Sequence, residues 1–599
     1  MRVRDRRPLV VVAIHAMVFA ALLWWSWRKW PDPLVDFGRE LYLPWQINAG
    51  RVLYRDLASL FGPLSPYLNA LWFRLFGVSL MTLVLCNLAI FSATVAGIYH
   101  LIRVSTDRVT ASAAGLVTLL LFGFSQYVDV GNYNFVTPYA HEATHGIALS
   151  VACLVLLHRA LATRSRRAGA AAGACFGLVL LTKPEIAAAA AIGVLAGWTA
   201  AYTLGGRDKH DLASSVPLFM TIAVLPPLLF FLYFTTEMEA EAALRATGGA
   251  WMPLFGTGIT GNEFYRRGMG FDAPAANAVR MLLTFAGFVA LAGAAIGVSW
   301  IDAGDPSLSR GRRFLRIGLL AAAIFVLRQA TFPYSLPFIV ITSLVAIIVL
   351  FARARSDREQ ATRLMPLIMW SAFAFVLLAK MGLNARIYHY GFYLGLPAMV
   401  VAIVLMIWLI PHVLVSWRSE TAARSFRQMA LWMLAAAIAP YLGTAHGWYR
   451  TRTLEIGSGA DRFYASSIGG QGRLARAALR LLERTASPDA TVAVLPEGIM
   501  LNYLLRLDSP LRVINLMPPE LMAFGEDDVL RSLAARPPDY VLLLSRNMTE
   551  YGYQQFGSDS RYGLRVVTWI NEHYESVRFT ERDSDESDPG IQLQRRRRE

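Results

Sequence analysis

Two carboxylates one helical turn apart, Asp36 and Glu40 in VDFGRELYLPWQ, open the long stretch Pro31–Gly77, and a third, Asp56, follows in YRD. Residues four apart share a helix face, and a carboxylate beside an attacking hydroxyl can take its proton. Capping the next helix is the other use of an acid at such a position. A second constellation is HEATH, His141 to His145, which matches H-E-x-x-H. In that motif two histidines one turn apart hold zinc and the glutamate activates water. A divalent metal on His141, Glu142 and His145, a substrate contact, and plain structural hydrogen bonding all fit the residue types, and no third ligand is evident. The third is LLTKPEI, where Lys183 lies between apolar runs with Glu185 nearby. A cation there is costly unless paired, so Lys183 serves a bound anion, pairs with Glu185, or snorkels to an interface. Arg386, with Tyr388 and His389 in NARIYHYG, poses the same choice.

The elements that must position these groups are membrane spans. Of 599 residues 55% are hydrophobic and the mean hydropathy is +0.42, too apolar for a soluble enzyme of this size. Apolar runs recur at Leu9–Trp27, Ser79–Ile102, Ala111–Tyr127, Glu142–Leu157, Gly169–Leu181, Ile186–Leu204 and Val216–Phe234. They continue at Ala278–Trp300, Ile317–Leu327, Leu336–Phe351, Leu367–Lys380, Phe392–Val415 and Leu431–Leu442. Counting about 20 residues per crossing, with short runs extending into their flanks, this reads as about thirteen spans. No small-residue cleavage site follows the first run, which reads as an uncleaved span with WWSWRKW as an aromatic anchor.

Charge orients the spans. Alternate connections, among them RALATRSRR, SRGRRFLR and ARARSDREQATR, are basic, and so is the start MRVRDRRP. The positive-inside rule then places the start in the cytoplasm and everything after Leu442 outside, in an inner (cytoplasmic) membrane. The net charge of +15 belongs to these loops and implies no nucleic-acid partner. Cys86, Cys153 and Cys175 fall inside apolar runs and form no disulfide framework. All three chemical constellations fall on the outer face, with Asn132, Tyr133, Asn134 and Tyr139 in YVDVGNYNFVTPYA, the NEFYRRGMGFD loop containing Arg266 and Arg267, and RQATFPY beginning at Arg328.

From residue 443 the pattern becomes that of a soluble domain. TVAVLP, LRVINL and DYVLLLS read as buried strands alternating with helical stretches, a small α/β unit over 443–585. Residues 586–599, rich in arginine, read as a disordered basic tail. The fold class is thus a polytopic α-helical membrane protein, with the spans and the outer loop 28–78 in residues 1–442 and a small α/β domain outside the membrane.

VDFGRE, AGRVLYRD and FGPLSPYLNALWFRLFG together resemble the first outer loop of the GT-C membrane glycosyltransferases, the superfamily of the protein O-mannosyltransferases and lipid A aminoarabinose transferases. The resemblance implies transfer of a sugar from a polyprenyl-phosphate donor to a glycan, lipid or protein acceptor on the outer face, with inversion. It implies Asp36 as general base, assisted by Glu40. The leaving phosphate gains charge and needs cations, for which Lys183, Arg266, Arg328 and Arg386 are the candidates at outer span ends. Tyr54, Asp56, Asn132, Tyr133, Asn134, Tyr139, His141, Glu142, His145, Glu185, Tyr388 and His389 are of types that bond hydroxyls or stack on sugar rings. The pattern departs from the mannosyltransferases in having Phe37 directly after Asp36, and no β-trefoil-like insertion is evident. No cofactor is implied with certainty, a divalent metal being the open case. Two other readings stand beside this one: a lipid or solute transporter, which predicts ionisable residues at mid-membrane, and a zinc membrane peptidase built on HEATH.

Overall fold

The structure, a computed structural model, describes residues 7–204, 207–251, 261–304, 309–327, 332–417, 420–577 and 590–597. Helix α1 spans Arg7–Ser26; α2 (Phe37–Asn48) and α3 (Leu64–Phe76) lie in the first long loop; α4 (Leu80–Ser105), α5 (Arg108–Val117, extended by a π-turn to Gly123), α6 (His141–Thr163), α7 (Arg166–Leu180), α8 (Pro184–Thr203) and α9 (Arg207–Thr235) follow. Two short helices, α10 (Ala240–Thr247) and α11 (Glu263–Gly268), precede α12 (Pro274–Gly304), α13 (Ser309–Leu327), α14 (Leu336–Arg353) and α15 (Arg358–Ala379). The bundle closes with α16 (Gly391–Leu394), α17 (Leu396–Val404), a π-turn at Leu405–Leu409, α18 (Ile410–Trp417) and α19 (Glu420–Thr451).

Every one of the thirteen apolar runs falls within this helical set. Among the described residues ten helices are long and apolar enough to cross a membrane, fewer than the thirteen spans expected. The runs in α5, α7 and α13 fall short: α7 has 15 residues and begins with two arginines, and α5 needs its π-turn to reach Gly123. Local signals set several starts. Ser79 accepts the Thr82 N–H at the head of α4, Asp107 accepts those of Val109 and Thr110 at α5, and Pro184 begins α8.

α19 runs unbroken past Leu442 to Thr451, so the sheet region begins at Arg452, nine residues beyond the expected boundary at 443. It contains β1 (Arg452–Ile456), β2 (Phe463–Ser466), α20 (Gln471–Thr485), β3 (Val492–Leu495), α21 (Ile499–Leu505), α22 (Pro518–Phe524), α23 (Glu526–Ala535), β4 (Tyr540–Leu544), α24 (Leu564–His573), β5 (Tyr574–Ser576) and β6 (Ile591–Arg596). β1 and β2 form an antiparallel pair; the larger sheet has the order β3-β4-β6-β5, with β3 and β4 parallel and β6 antiparallel to both neighbours. Two expectations are corrected here. LRVINL forms no strand: Leu511, Val513, Ile514 and Leu516 are buried in irregular chain. The basic tail is not wholly disordered either, because Ile591–Arg596 is β6, whose Ile591 and Leu593 are buried. Alternating Ile591 and Leu593 satisfy the period-two pattern of a strand despite the arginines that follow.

This C-terminal domain rests on the first loop along its whole length. Arg452 donates from Nη1 to the Pro31 carbonyl at 2.7 Å, the Leu80 N–H donates to Asp461 at 2.7 Å, Arg51 pairs with Asp508 at 2.5 Å, and the Ala58 N–H donates to the Arg512 carbonyl at 2.8 Å. Closest of all is α2 against α21, where a Cβ on Gly38 would lie 2.4 Å from the Met500 nitrogen.

Candidate active site

Asp36 sits where the loop turns into α2, and its position is built from three chain segments. The Asp32 carboxylate accepts the N–H groups of Leu34 (3.0 Å) and Val35 (2.9 Å), while Asn132 accepts the Asp32 N–H at 2.9 Å and donates to the Val35 carbonyl at 2.7 Å. The Asp36 backbone then takes φ 55° and ψ −60°, a region non-glycine residues avoid. From the C-terminal domain, Glu497 Oε1 accepts the Asp36 N–H at 3.3 Å, and Arg546 pairs with the other Glu497 oxygen at 3.0 Å. The Asp36 side chain makes no capping bond to α2; its carboxylate is 24% exposed, with Arg39 Nη1 3.8 Å away. Burial pushes the Asp36 carboxyl up to about 6; Arg39 opposes this, and the charges of Glu40 and Asp32 add to it.

Glu40 is the opposite case, a carboxylate fully engaged. Its Oε2 accepts both the His141 N–H at 2.9 Å and the His141 ring at Nδ1, 2.7 Å, and its Oε1 accepts from Arg39 Nε at 3.2 Å. Burial raises its pKa, yet the His141 and Arg39 bonds outweigh burial and hold the group below the ordinary glutamate range. Arg39 also donates to the Tyr139 carbonyl at 2.7 Å and lies over the Phe61 ring at 4.7 Å. Burial works against its charge, and Glu40 and Asp36 more than restore it.

Lys183 lies in the same cluster. Its ammonium donates to the Tyr139 hydroxyl at 2.7 Å and sits over the rings of Phe61 (4.3 Å) and Tyr139 (4.7 Å). It forms no ion pair with a carboxylate among the described residues; Glu185 instead accepts the Tyr393 hydroxyl at 2.9 Å. Burial lowers the Lys183 pKa, with Glu185 and Glu142 acting against it. Lys183 is thus buried, held by a hydroxyl and aromatic faces.

HEATH does not form a zinc centre. The His141 Nδ1–H is used by Glu40 and its Nε2 accepts from Asn87 Nδ2 at 2.9 Å, so neither nitrogen is left to bind a metal; His145 Nδ1 lies 3.0 Å from the Ser65 hydroxyl. Among the described residues no group of three or more His, Cys, Asp or Glu is arranged to hold a metal ion. Glu142 Oε2 and His145 Nε2 are buried without a hydrogen-bond partner among the described residues.

The remaining candidates separate into frame and periphery. Asn132 fixes the Asp36 turn, Asn134 accepts the N–H groups of Val136 and Thr137, Asp56 accepts the Val52 N–H and pairs with Arg55, and the Tyr54 hydroxyl donates to the Phe61 carbonyl. These side chains shape the loops. Tyr133 and His389 meet as tilted rings with centroids 4.3 Å apart, and burial lowers the His389 pKa to about 3. Arg386 is buried, donating to the Gly268 carbonyl at 2.7 Å with Tyr388 beside it. Arg266 is exposed on α11, and Arg328 lies outside the described residues.

Several members of the cluster went unread in the sequence. Arg39 stands between the two acids, on the same turn as both. Glu497 and Arg546 immediately follow the parallel strands β3 and β4, at the carboxyl ends where α/β sheets present binding groups. Glu520, on α22, faces Arg39 and Asp36, and burial raises it to about 8.

Residues 61–236 match the family described as dolichyl-phosphate-mannose-protein mannosyltransferase. Among solved structures, the chain is similar to the Archaeoglobus fulgidus oligosaccharyltransferase tethered to an acceptor peptide, at 14% identity over 96% of this chain and 72% of that one, TM-score 0.49. It is also similar to ArnT from Cupriavidus metallidurans bound to undecaprenyl phosphate, at 14% identity over 99% of this chain and 98% of that one, TM-score 0.45. No curated protein sequence matches.

Proposed function

We propose, for a chain whose residues 61–236 match the dolichyl-phosphate-mannose-protein mannosyltransferase family, that it moves a sugar from a polyprenyl-phosphate-linked donor to an acceptor hydroxyl at the outer face of the cytoplasmic membrane. The observation that carries this reading is Asp36: a part-exposed carboxylate, free of helix capping, with a pKa near 6 and two cations, Arg39 and Lys183, in its cluster. At neutral pH such a carboxylate is mostly ionised and still basic enough to accept a proton.

The step is an in-line displacement. The acceptor oxygen bonds to the anomeric carbon, its proton passes to Asp36, and the bond from that carbon to the phosphate oxygen breaks. The electron pair leaves with the lipid phosphate and the anomeric configuration inverts. Lys183 meets the charge growing on the phosphate, inside a site where a buried cation acts strongly. Glu40 is a positioning residue in this scheme, fixing Arg39 and the head of α6 through His141. An apolar cavity between α12, α17 and α19, lined by residues including Phe288, Leu291, Phe332, Met399 and Met433, supports the lipid donor by offering a place for an isoprenoid chain.

The test is transfer of radiolabelled sugar from a panel of polyprenyl-phosphate sugars, in membranes holding wild type, Asp36→Asn or Lys183→Met at matched protein levels. Wild-type transfer that Asp36→Asn abolishes supports the reading. Failure of the wild type to consume any donor, or full activity of Asp36→Asn, overturns it.

A further inference from the structure

The end of the bundle opposite Asp36 contains a second built feature that sugar transfer does not use. Helices α7 and α9 pinch together midway: a Cβ on Gly177 would stand 2.2 Å from the Ala223 carbonyl oxygen, and one on Gly173 2.4 Å from that of Phe219. Glycine is what allows backbones to touch inside a membrane. One turn further on the contact ends. At Gly169 the nearest atom to such a Cβ is the Ala160 Cβ, 3.8 Å away.

Where the helices part, α6 to α9 enclose a cavity of about 430 Å³. Its inner wall is apolar, with Leu157, Leu161 and Phe219, the last packed edge-on against Trp198 at 5.1 Å. Its mouth is polar and basic, formed by Arg164, Ser165 and Arg166 on one side and Ser214 and Ser215 on the other. Ser165 already caps α7 by accepting the Ala168 N–H. Arg164 and Arg166 are both exposed at the rim. The volume falls in the range of about 300–1,000 Å³ usual for ligand sites, and the division into a basic rim and an apolar floor matches one ligand class. Basic pockets between spans take anionic lipid headgroups, and the arginine fork suits a phosphate.

We infer that this cavity seats the headgroup of an anionic phospholipid from the leaflet on that side, with its phosphate at Arg164 and Arg166 and its glycerol and first methylenes against Leu157, Leu161 and Phe219. The bound lipid wedges open the helix pair that the glycines pin at its middle.

The full-length protein, reconstituted from mixed phosphatidylcholine and phosphatidylglycerol vesicles and stripped in detergent, is examined by native mass spectrometry for retained lipid. Wild type keeps phosphatidylglycerol in preference to phosphatidylcholine. In the Arg164→Gln/Arg166→Gln double variant retention of that lipid weakens about thirtyfold, two basic contacts being lost. Ser215→Phe, which fills the cavity and leaves both arginines, loses it too, and melting curves of both variants confirm that they are folded. Undiminished retention in either folded variant, equal retention of phosphatidylcholine, or displacement by millimolar inorganic phosphate overturns the assignment. None of these readouts depends on sugar transfer, so they stand or fall apart from the proposed activity.

Discussion

The pKa of the Asp36 carboxyl is pushed up by burial and by Glu40, and held in check by Arg39. That balance makes its pH behaviour predictable in sign. A base must be ionised to act, so kcat/KM rises with pH through about 6 and then levels off. Removing the cation in Arg39→Gln moves this acidic limb to higher pH, and removing the anion in Glu40→Gln moves it to lower pH. A pH-rate series on the three proteins checks both directions, and limbs that do not separate would show that Asp36 is not the titrating group. Asp36→Asn itself lowers turnover by about 10²–10⁴-fold, the usual scale for a general base, measured as initial rates at matched expression.

Elements succeed here through contacts that tolerate no extra atom. Gly38 on α2 lies against the Met500 backbone, and a Cβ on Gly62 would sit 2.0 Å from the Leu181 carbonyl oxygen, just before Lys183. Gly38→Ala and Gly62→Ala therefore each cost about 1–3 kcal/mol by overpacking, seen as lowered melting temperatures, with Gly62→Ala also weakening donor use by shifting Lys183. The elements themselves were largely legible beforehand. Long apolar runs announce helices whatever surrounds them, so each of the thirteen runs overlaps a helix. Span count was less legible, since an interrupted helix such as α5 with its π-turn reads like a continuous one. LRVINL has strand-forming residues but no partner strand, and pairing is a long-range property. Arg39, Glu497 and Arg546 were missed for the same reason: what makes them members of the cluster is a fold that brings residues 36 and 497 within one hydrogen bond.

At the scale of the molecule, the C-terminal domain and the first loop share an interface rich in reluctant charge. Burial raises Asp36 to about 6, Glu497 to about 7 and Glu520 to about 8. Each folded-state value exceeds that of the unfolded chain, so the native state binds more protons, and its stability is fullest below about pH 4 for this set and declines as pH rises through 6 to 8. Thermal melts in detergent are expected to fall between pH 5 and pH 8.5, and Glu520→Gln, with no proton to lose, flattens the decline and melts higher at the alkaline end. A flat wild-type curve would remove these groups from the interface. Such stored cost at a working site is familiar: groups chosen for reactivity are rarely those chosen for stability.

The sheet order has a consequence for how the protein is made. β6 lies between β4 and β5, although it is the last strand in chain order. Arg546, at the end of β4, anchors Glu497, and Glu497 holds the Asp36 turn. A growing chain thus makes its first loop hundreds of residues before the strand that completes the supporting sheet is synthesised. The sheet that braces the Asp36 turn is complete only when residues 591–596 have paired, so a lesion near residue 593 would be read out more than 550 positions upstream.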